Sequence, residues 1–141
     1  PRVEVMTPLI PGLVGKKMSA SIKDSKIDLL DDEATVKSKI KKAFCPEGEV
    51  EDNGVLAFFK HFLMFVKADN DEELIIERPE KFGGDLKFNS YEELEKIFVD
   101  KKLHPMDLKA CLVKEINKLL DPIRKGMEDK KQITQQAYPE D

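Results

Sequence analysis

The stretch HPMDLKACLVKEINKLLDPI, residues 104–123, determines the fold class because it is the longest regular pattern in the chain. Pro105 suits the first helical position, where its missing N–H has no intrahelical partner to lose, and Pro122 is expected to kink the helix. The apolar positions recur at the 3.6-residue spacing of a helix buried along one face: Leu108, Cys111, Leu112, Ile116, Leu119, Leu120 and Ile123. Such a helix needs partners to pack against, so the sequence predicts a helical bundle.

Three further helices are predicted upstream. The first follows Asp32 as N-cap and ends at Cys45-Pro46, because proline cannot continue it. Residues 54–66 are apolar on nearly every side, which predicts a buried core helix. Ser90 and Glu93 have the spacing of a capping box, which opens the third helix. The remaining apolar positions of the first and third helices are Val36, Ile40, Ala43, Phe44, Leu94, Ile97 and Phe98.

A small β-hairpin is predicted between the second and third of these helices. Residues 73–78 contain three consecutive apolar residues and read as a short strand, and residues 86–88 pair back after the turn at residues 82–85. A last short helix is predicted over residues 127–138. The expected fold is therefore mainly α, a helical bundle with a small β-hairpin.

Composition restricts the function classes. With 141 residues, 37% charged and 40% hydrophobic, the chain has the size and balance of one soluble globular domain. Its net charge of -4 means that contact with a nucleic acid must come from a local patch. Cys45 and Cys111 lack zinc or disulfide spacing, which indicates a reducing intracellular compartment. No metal cluster, signal peptide or membrane span is visible, and Pro1 in place of Met leads us to expect that the chain starts inside a larger protein.

The loop GKKMSAS, residues 15–21, is the sharpest chemical signal. Glycine and small residues allow backbone N–H groups to turn toward an anion, and the lysines add positive charge, a combination that suits polyphosphate. The spacing is not that of a Walker A loop. On composition alone the signal for polyphosphate is weak, and a solvated Gly/Ser/Lys loop is the favoured interpretation.

Residues 17–21, KMSAS, resemble the KMSKS signature of class I aminoacyl-tRNA synthetases. Seven flanking stretches resemble, in order, tyrosyl-tRNA synthetases of the archaeal and eukaryotic type: PLIPGL (8–13), SKIDLLD (25–31), KIKKAFCP (39–46), RPEKFGG (78–84), SYEEL (90–94), HPMDLK (104–109) and LDPIR (120–124). The resemblance covers almost the whole chain and is to the C-terminal part of the family. KMSAS is also frequent in tryptophanyl-tRNA synthetases, which are the nearest enzymatic alternative.

The resemblance implies that tyrosine and ATP, with Mg²⁺, form tyrosyl-adenylate, and that tyrosine is then transferred to tRNA(Tyr). Lys17 on a mobile ATP loop would stabilise the charge that develops on the phosphates. Ser19 and Ser21 would add hydroxyl or backbone N–H contacts, and Lys16 and Met18 would complete the ATP-binding set. Ala20 stands where the signature has its second lysine. Lys17, with Lys16 beside it, would therefore have to supply the positive charge of the loop.

The resemblance also implies an anticodon site. Asp107 would accept hydrogen bonds from a guanine as the first anticodon base, Phe82 would stack on an unstacked base, and His104 would stack or hydrogen-bond there. The residues lining the pocket would be Cys45, Pro46, Pro79 and Met106. Without the family, Asp107 is more simply an acid at a helix start, Phe82 a core residue and His104 a helix-start residue.

The implied organisation is the end of a Rossmann-like catalytic domain with the signature loop over residues 1–31, and a helical anticodon-binding domain over residues 32–141. A HIGH-like motif, the tyrosine pocket and the homodimer interface belong to a missing catalytic part, so these residues alone are expected to be inactive. The whole protein is expected in the cytoplasm, away from membranes. A non-catalytic tRNA-binding module or inactive paralogue stays open. His61 is predicted to be a partly buried packing residue, and a solvated helix face is favoured over phosphate contacts for Lys37, Lys39, Lys41 and Lys42.

Overall fold

The computed structural model describes residues 10–15, 17–19 and 21–128, which are mainly helical with one two-stranded hairpin, as predicted. Helix α1 spans Glu33–Lys42. Helix α2 joins an α-helix (Gly54–Phe58), a π-helical turn (Phe59–Leu63) and a second α-helix (Met64–Asp69). The remaining elements are β1 (Leu74–Ile76), β2 (Leu86–Phe88), α3 (Tyr91–Val99) and α4 (Pro105–Glu128).

One buried apolar cluster joins all these elements, and α4 runs along it. The α4 residues buried there are Leu108, Cys111, Leu112, Ile116 and Leu120. Leu119 is half-buried and Ile123 is 38% exposed, so the apolar face narrows toward the C-terminal end of the helix. Leu13, from the segment before α1, is fully buried in the same cluster.

Helix α1 begins as predicted and ends earlier. The Asp32 side chain accepts a hydrogen bond from the Thr35 N–H at 2.7 Å, which makes it the N-cap. The helix ends at Lys42, before the predicted stop at Cys45-Pro46, because the Phe44 N–H donates to the Leu13 carbonyl at 2.8 Å and leaves the helical pattern. Phe44 is consequently 50% exposed rather than part of the apolar face.

The expectation of a solvated lysine face is wrong for Lys39 and correct for its neighbours. Lys39 is buried, and its Nζ lies 2.5 Å from the Asp31 carboxylate and 3.6 Å from that of Asp28. A buried ammonium needs such partners, because an unpaired charge is costly to desolvate. The exposed members of the set are Lys37, Lys41 and Lys42.

Helix α2 was predicted to be a buried core helix, but one side of it is exposed to solvent. Phe62 is 43% exposed and Phe65 is 64% exposed, whereas Phe59 and Leu63 are fully buried. Apolar composition alone does not reveal which side of a helix faces solvent. His61 is half-buried, as expected.

The hairpin forms with its second strand as predicted, over Leu86–Phe88, and with a first strand, Leu74–Ile76, that is shorter than the predicted 73–78. Leu74 of β1 lies opposite Phe88 of β2 in an antiparallel pair, and the 3-10 turn Glu80–Phe82 precedes two glycines with positive φ. The capping box at α3 differs in detail: Ser90 Oγ accepts from the Glu93 N–H at 3.4 Å, but Glu93 Oε2 accepts at 3.1 Å from the N–H of Asn89 rather than from that of the N-cap.

Helix α4 continues through Pro122 to Glu128, so Met127 belongs to it and does not open a separate helix. Residues 129–138 of the predicted last helix lie outside the described residues. None of the helices in the described part of the chain combines the length and apolarity needed to cross a membrane.

Candidate functional site

The loop that carries the signature, residues 15–21 and here called the signature loop, exposes Lys17 to solvent. Lys17 and Ser21 are exposed, whereas Met18 and Ser19 are half-buried. The Lys17 side chain has neither a hydrogen bond nor an ion pair with any other described residue. Lys16, also predicted to bind ATP, and Ala20, which departs from the signature, lie outside the described residues.

A buried serine organises the backbone of this loop. Ser25 is fully buried in a 3-10 turn, Lys23–Ser25, and its Oγ accepts a hydrogen bond from the Ser19 N–H at 3.0 Å. The Ser19 and Ser21 hydroxyls lie 2.9 Å apart and bond to each other. The Ser19 backbone N–H, one of the groups expected to face phosphate, therefore has an internal partner in this structure.

The base of the loop is attached to the helical core by close backbone contacts. The Leu13 N–H donates to the Ser25 carbonyl at 3.0 Å. Gly12 packs so tightly that a Cβ there would lie 3.1 Å from the Lys17 carbonyl oxygen and 3.1 Å from Ser25 Cβ. The N-terminus of α2 approaches from the other side: a Cβ on Gly54 would lie only 2.2 Å from the Gly12 oxygen.

Four of the seven predicted anticodon residues line one cavity of about 520 Å³. They are Phe82, His104, Met106 and Asp107. The cavity lies between the 3-10 turn that follows β1 and the start of α4. The residues that share its lining and were not predicted are Glu47, Arg78, Lys101 and Lys102.

Phe82 is 59% exposed, so the alternative reading as a core residue is wrong. It lies at the end of the 3-10 turn, which Gly83 closes with a φ of 97°. Lys81 Nζ is 4.8 Å from the centre of its ring. An exposed aromatic ring beside a cavity is a suitable surface on which a nucleic-acid base stacks.

His104, rather than Asp107, caps α4. Its Nδ1 accepts a hydrogen bond from the Met106 N–H at 3.1 Å. Because Nδ1 is an acceptor, the ring proton lies on Nε2, which is available as a donor. The half-buried Asp107 carboxylate has no hydrogen bond or ion pair with any described residue, although it lies in the first turn.

The other three predicted anticodon residues lie outside this cavity lining. Cys45 and Pro46 line a second cavity of about 630 Å³, together with Lys42, Phe44 and Lys109. Pro79 lines neither cavity, but its carbonyl accepts from the Phe82 N–H at 2.9 Å and so begins the turn that carries the ring.

Both cysteines are free, and their thiols are protonated at neutral pH. Burial raises the pKa of the Cys45 thiol, opposed in part by a hydrogen bond from Asn53. Burial raises the pKa of Cys111 to about 12. Neither has the lowered pKa of a nucleophilic cysteine. Among the described residues, no cluster of three or more His, Cys, Asp or Glu side chains is arranged to hold a metal ion.

Arg78 joins the two sides of the cavity lined by Phe82 and His104 and was missed as a site residue. Its Nε donates to the Gly84 carbonyl at 3.0 Å and its Nη1 to the Lys102 carbonyl at 2.8 Å. The guanidinium thus fixes the Phe82 turn relative to the segment that leads into His104. The sequence places Arg78 in the stretch RPEKFGG, but its partner 24 residues away is visible only in the fold.

Lys109 plays a similar role for the second cavity. Its Nζ donates to the Lys41 carbonyl at 3.1 Å and to the Ala43 carbonyl at 2.7 Å. It therefore satisfies carbonyls at the C-terminal end of α1 and holds α4 against the segment that leads to Cys45.

Comparison with known proteins identifies the family. The sequence model described as tRNA synthetases class I (W and Y) matches residues 1–121. With most of its length matched, the chain belongs to this family of class I tRNA synthetases.

Relatives within that family are named tyrosine–tRNA ligases. The cytoplasmic enzyme of Danio rerio is 51% identical over 141 residues, which is 99% of this chain and 26% of the relative. The enzyme of Haloarcula marismortui is 44% identical over 136 residues, which is 96% of this chain and 39% of the relative. The resemblance to tyrosyl-tRNA synthetases of eukaryotes and archaea is thereby confirmed.

Solved structures that match this chain are also tyrosyl-tRNA synthetases. The tyrosyl-tRNA synthetase of Pyrococcus horikoshii, crystallised with L-tyrosine, matches with a TM-score of 0.78 and 32% identity, over 86% of this chain and 37% of that one. The enzyme of Archaeoglobus fulgidus matches with a TM-score of 0.75 and 41% identity, over 84% of this chain and 36% of that one. The chain spans between 26% and 39% of the length of these relatives.

Proposed function

We propose that this chain is part of a tyrosine–tRNA ligase and supplies the signature loop for ATP and the surface that reads the anticodon of tRNA(Tyr). The whole enzyme would join tyrosine to ATP with Mg²⁺, release pyrophosphate and transfer the tyrosyl group to the tRNA. It would work as a homodimer through its catalytic domain. The cytoplasm is its expected location, in keeping with the names of the eukaryotic relatives.

In this proposal residues 1–31 end the Rossmann-like catalytic domain and residues 32–141 form the anticodon-binding domain. Lys17 is the charged residue of the ATP loop. Its exposed ammonium has no described partner to compete with a phosphate. The ammonium would stabilise the negative charge that grows on the phosphates in the transition state more than that of ground-state ATP. Met18 and the Ser19 and Ser21 hydroxyls complete the described part of the loop, and Lys16 adds the second charge.

The anticodon role is carried by one observation: Phe82, His104, Met106 and Asp107 line a single cavity in which the Asp107 carboxylate is unpaired among the described residues. A carboxylate only accepts hydrogen bonds, so it matches the N1–H and amino group of guanine and opposes the acceptor N3 of cytosine. Phe82 provides the stacking surface, and His104 provides a donor at Nε2. Cys45, Pro46 and Pro79 would support neighbouring bases.

The test substitutes Asp107→Asn in the complete enzyme. Asparagine keeps the shape but replaces one acceptor oxygen by a donor. Aminoacylation is measured with tRNA(Tyr) carrying G or C as the first anticodon base. A base-edge contact of this kind is worth about 1–3 kcal/mol in DNA recognition, so the unsubstituted enzyme should prefer G by roughly one to two orders of magnitude. The variant should lose most of that preference, chiefly through lower activity on the G form.

Asp69→Asn, at an exposed aspartate at the end of α2, is the matched control and should leave the G-to-C ratio unchanged. An unaltered ratio in Asp107→Asn, together with a lower melting temperature, would reduce Asp107 to an acid that stabilises the start of α4. Binding of tRNA(Tyr) without any tyrosylation by the unsubstituted protein would instead favour a non-catalytic tRNA-binding module.

A further inference from the structure

The Ser25 hydroxyl contacts the backbone of the signature loop at Ser19, although Ser25 is not among the residues expected to touch ATP. It is fully buried, and its Oγ lies 3.0 Å from the Ser19 nitrogen, 2.8 Å from the Ser19 oxygen and 2.8 Å from the Ile22 oxygen. Both backbone polar groups of Ser19 are thus within hydrogen-bond distance of one side-chain atom.

The chemistry of these contacts requires a hydroxyl. Ser25 Oγ accepts from the Ser19 N–H and donates its single proton to the Ser19 or the Ile22 carbonyl. Each carbonyl has a second donor, because the Ser25 N–H reaches Ile22 at 3.0 Å and the Ile22 N–H reaches Ser19 at 3.3 Å. A side chain without an acceptor at this position would leave the Ser19 N–H without this partner, and one without a donor would lose the bond to the carbonyls.

These contacts orient the backbone beside Lys17. Ser19 is two residues from Lys17, whose side chain has no described partner to hold it. The direction of the ammonium therefore depends on the backbone on either side. Ser25 is itself attached to the core, because its carbonyl accepts from the N–H of the fully buried Leu13 at 3.0 Å.

We propose that Ser25 is a positioning residue for adenylate formation: its buried hydroxyl fixes the Ser19 peptide group and, through it, the placement of Lys17. This inference rests on the proposed function. It adds to the ATP loop a residue that does not contact the nucleotide, and it explains why a polar side chain lies fully buried at the end of the Lys23–Ser25 turn.

The test compares Ser25→Ala, Ser25→Cys and the exposed control Ser38→Ala in the complete enzyme. Ser25→Ala should slow tyrosine-dependent pyrophosphate exchange about tenfold, which is the upper range for an ordinary intramolecular hydrogen bond. The loss should appear in kcat, with the dissociation constant of tyrosine unchanged. Cysteine fills the site with a somewhat larger thiol that hydrogen-bonds only weakly, so it should resemble alanine. Ser38→Ala should match the unsubstituted enzyme.

A double-mutant cycle with Lys17→Ala separates positioning from general stability. If Ser25 acts through Lys17, Ser25→Ala should slow exchange less than about twofold in the Lys17→Ala background, where the ammonium is already absent. Hydrogen exchange at the Ser19 amide should also be faster in Ser25→Ala, whether or not the enzyme turns over.

Three results would overturn the inference: an equal tenfold loss in both backgrounds, full activity in Ser25→Cys, or unchanged protection of the Ser19 amide. Failure of the proposed function has a different signature. In that case the unsubstituted complete protein shows no exchange, and the inference falls with it. Exchange that requires Lys17 but ignores Ser25 removes the positioning role alone.

Discussion

At the scale of single residues, the charged side chains divide by whether they have a partner. Lys39 and Lys67 are buried, and each lies within ion-pair distance of two carboxylates. Arg124 donates to the Asp31 carbonyl at 2.7 Å and to the Asn117 side chain at 2.8 Å. Lys17 and Asp107 have no such partner among the described residues. Charges that stabilise no other part of the described fold are available for a ligand, which favours the roles proposed for both.

Under the proposed role, Lys17→Ala in the complete enzyme is expected to slow adenylate formation by about 10²–10³-fold, because it would remove one charge contact that strengthens in the transition state. Tyrosine binding should hardly change, since the lysine would act on phosphate. Pyrophosphate exchange and equilibrium binding of tyrosine are the two measurements.

Lys37→Ala is the control for Lys17, because Lys37 is an exposed lysine on α1 outside the loop. It should leave the exchange rate unchanged. A weaker tyrosine affinity in Lys17→Ala, with the chemical step intact, would contradict the assignment of the loop to ATP.

At the scale of elements, α2 can approach the base of the signature loop closely because Gly54 has no side chain. A Cβ at Gly54 would lie 2.2 Å from the Gly12 oxygen and 3.0 Å from Leu13 Cα. These are backbone atoms, which cannot rotate away as a side chain does. Gly54→Ala should therefore destabilise the chain by about 3 kcal/mol, the upper range for overpacking, as measured by urea unfolding.

Gly126→Ala is the matched substitution with the opposite expected sign. Gly126 lies in α4, and a Cβ there would meet nothing within 4 Å. Alanine in an unobstructed helix should raise the free energy of unfolding by about 0.5–1 kcal/mol. Equal effects of the two substitutions would show that the close approach of α2 to Gly12 is not rigid.

Local patterns predicted the elements well, and long-range contacts account for the errors. The Asp32 and Ser90 caps and the hairpin each depend on residues close in sequence, and they were found. The early end of α1 depends on Leu13, and the burial of Lys39 depends on Asp31 and Asp28. No periodicity within α1 encodes these partners.

The site shows the same limit. Phe82, His104, Met106 and Asp107 were predicted because their stretches resemble a known family, and they line one cavity. Arg78 was not predicted, because its Nε and Nη1 donate to carbonyls that lie 6 and 24 residues away in the sequence. The burial of Ser25, next to the signature, follows from its place in the folded loop. Side chains that position a site are recognised by their contacts, and those contacts exist only once the chain is folded.

At the scale of the whole molecule, positive charge is concentrated at one cavity although the net charge of the chain is negative. The formal net charge is -4, which disfavours non-specific attraction to RNA. The cavity proposed to bind the anticodon nevertheless combines Arg78, Lys101 and Lys102 with only two carboxylates, those of Glu47 and Asp107. Lys101 has a positive φ of 58° after the end of α3, a conformation unusual for a residue other than glycine. RNA affinity should therefore arise from this cavity and be modest in its dependence on salt.

The 141-residue chain by itself is expected to bind an anticodon stem-loop RNA without activating tyrosine. Tyrosine-dependent pyrophosphate exchange should stay at background, because no HIGH-like motif is present in its sequence.

Each phosphate neutralised in single-stranded nucleic acid contributes about -0.7 to the slope of log affinity against log salt. Three cations at the cavity therefore predict a slope of about -2. Replacing Lys101 and Lys102 with glutamine should bring the slope to about -0.7, whereas glutamine at the exposed Lys87 and Lys96, outside the cavity lining, should leave it unchanged. A slope insensitive to Lys101 and Lys102 would place the RNA on another surface, and exchange above background would place the catalytic centre within these residues.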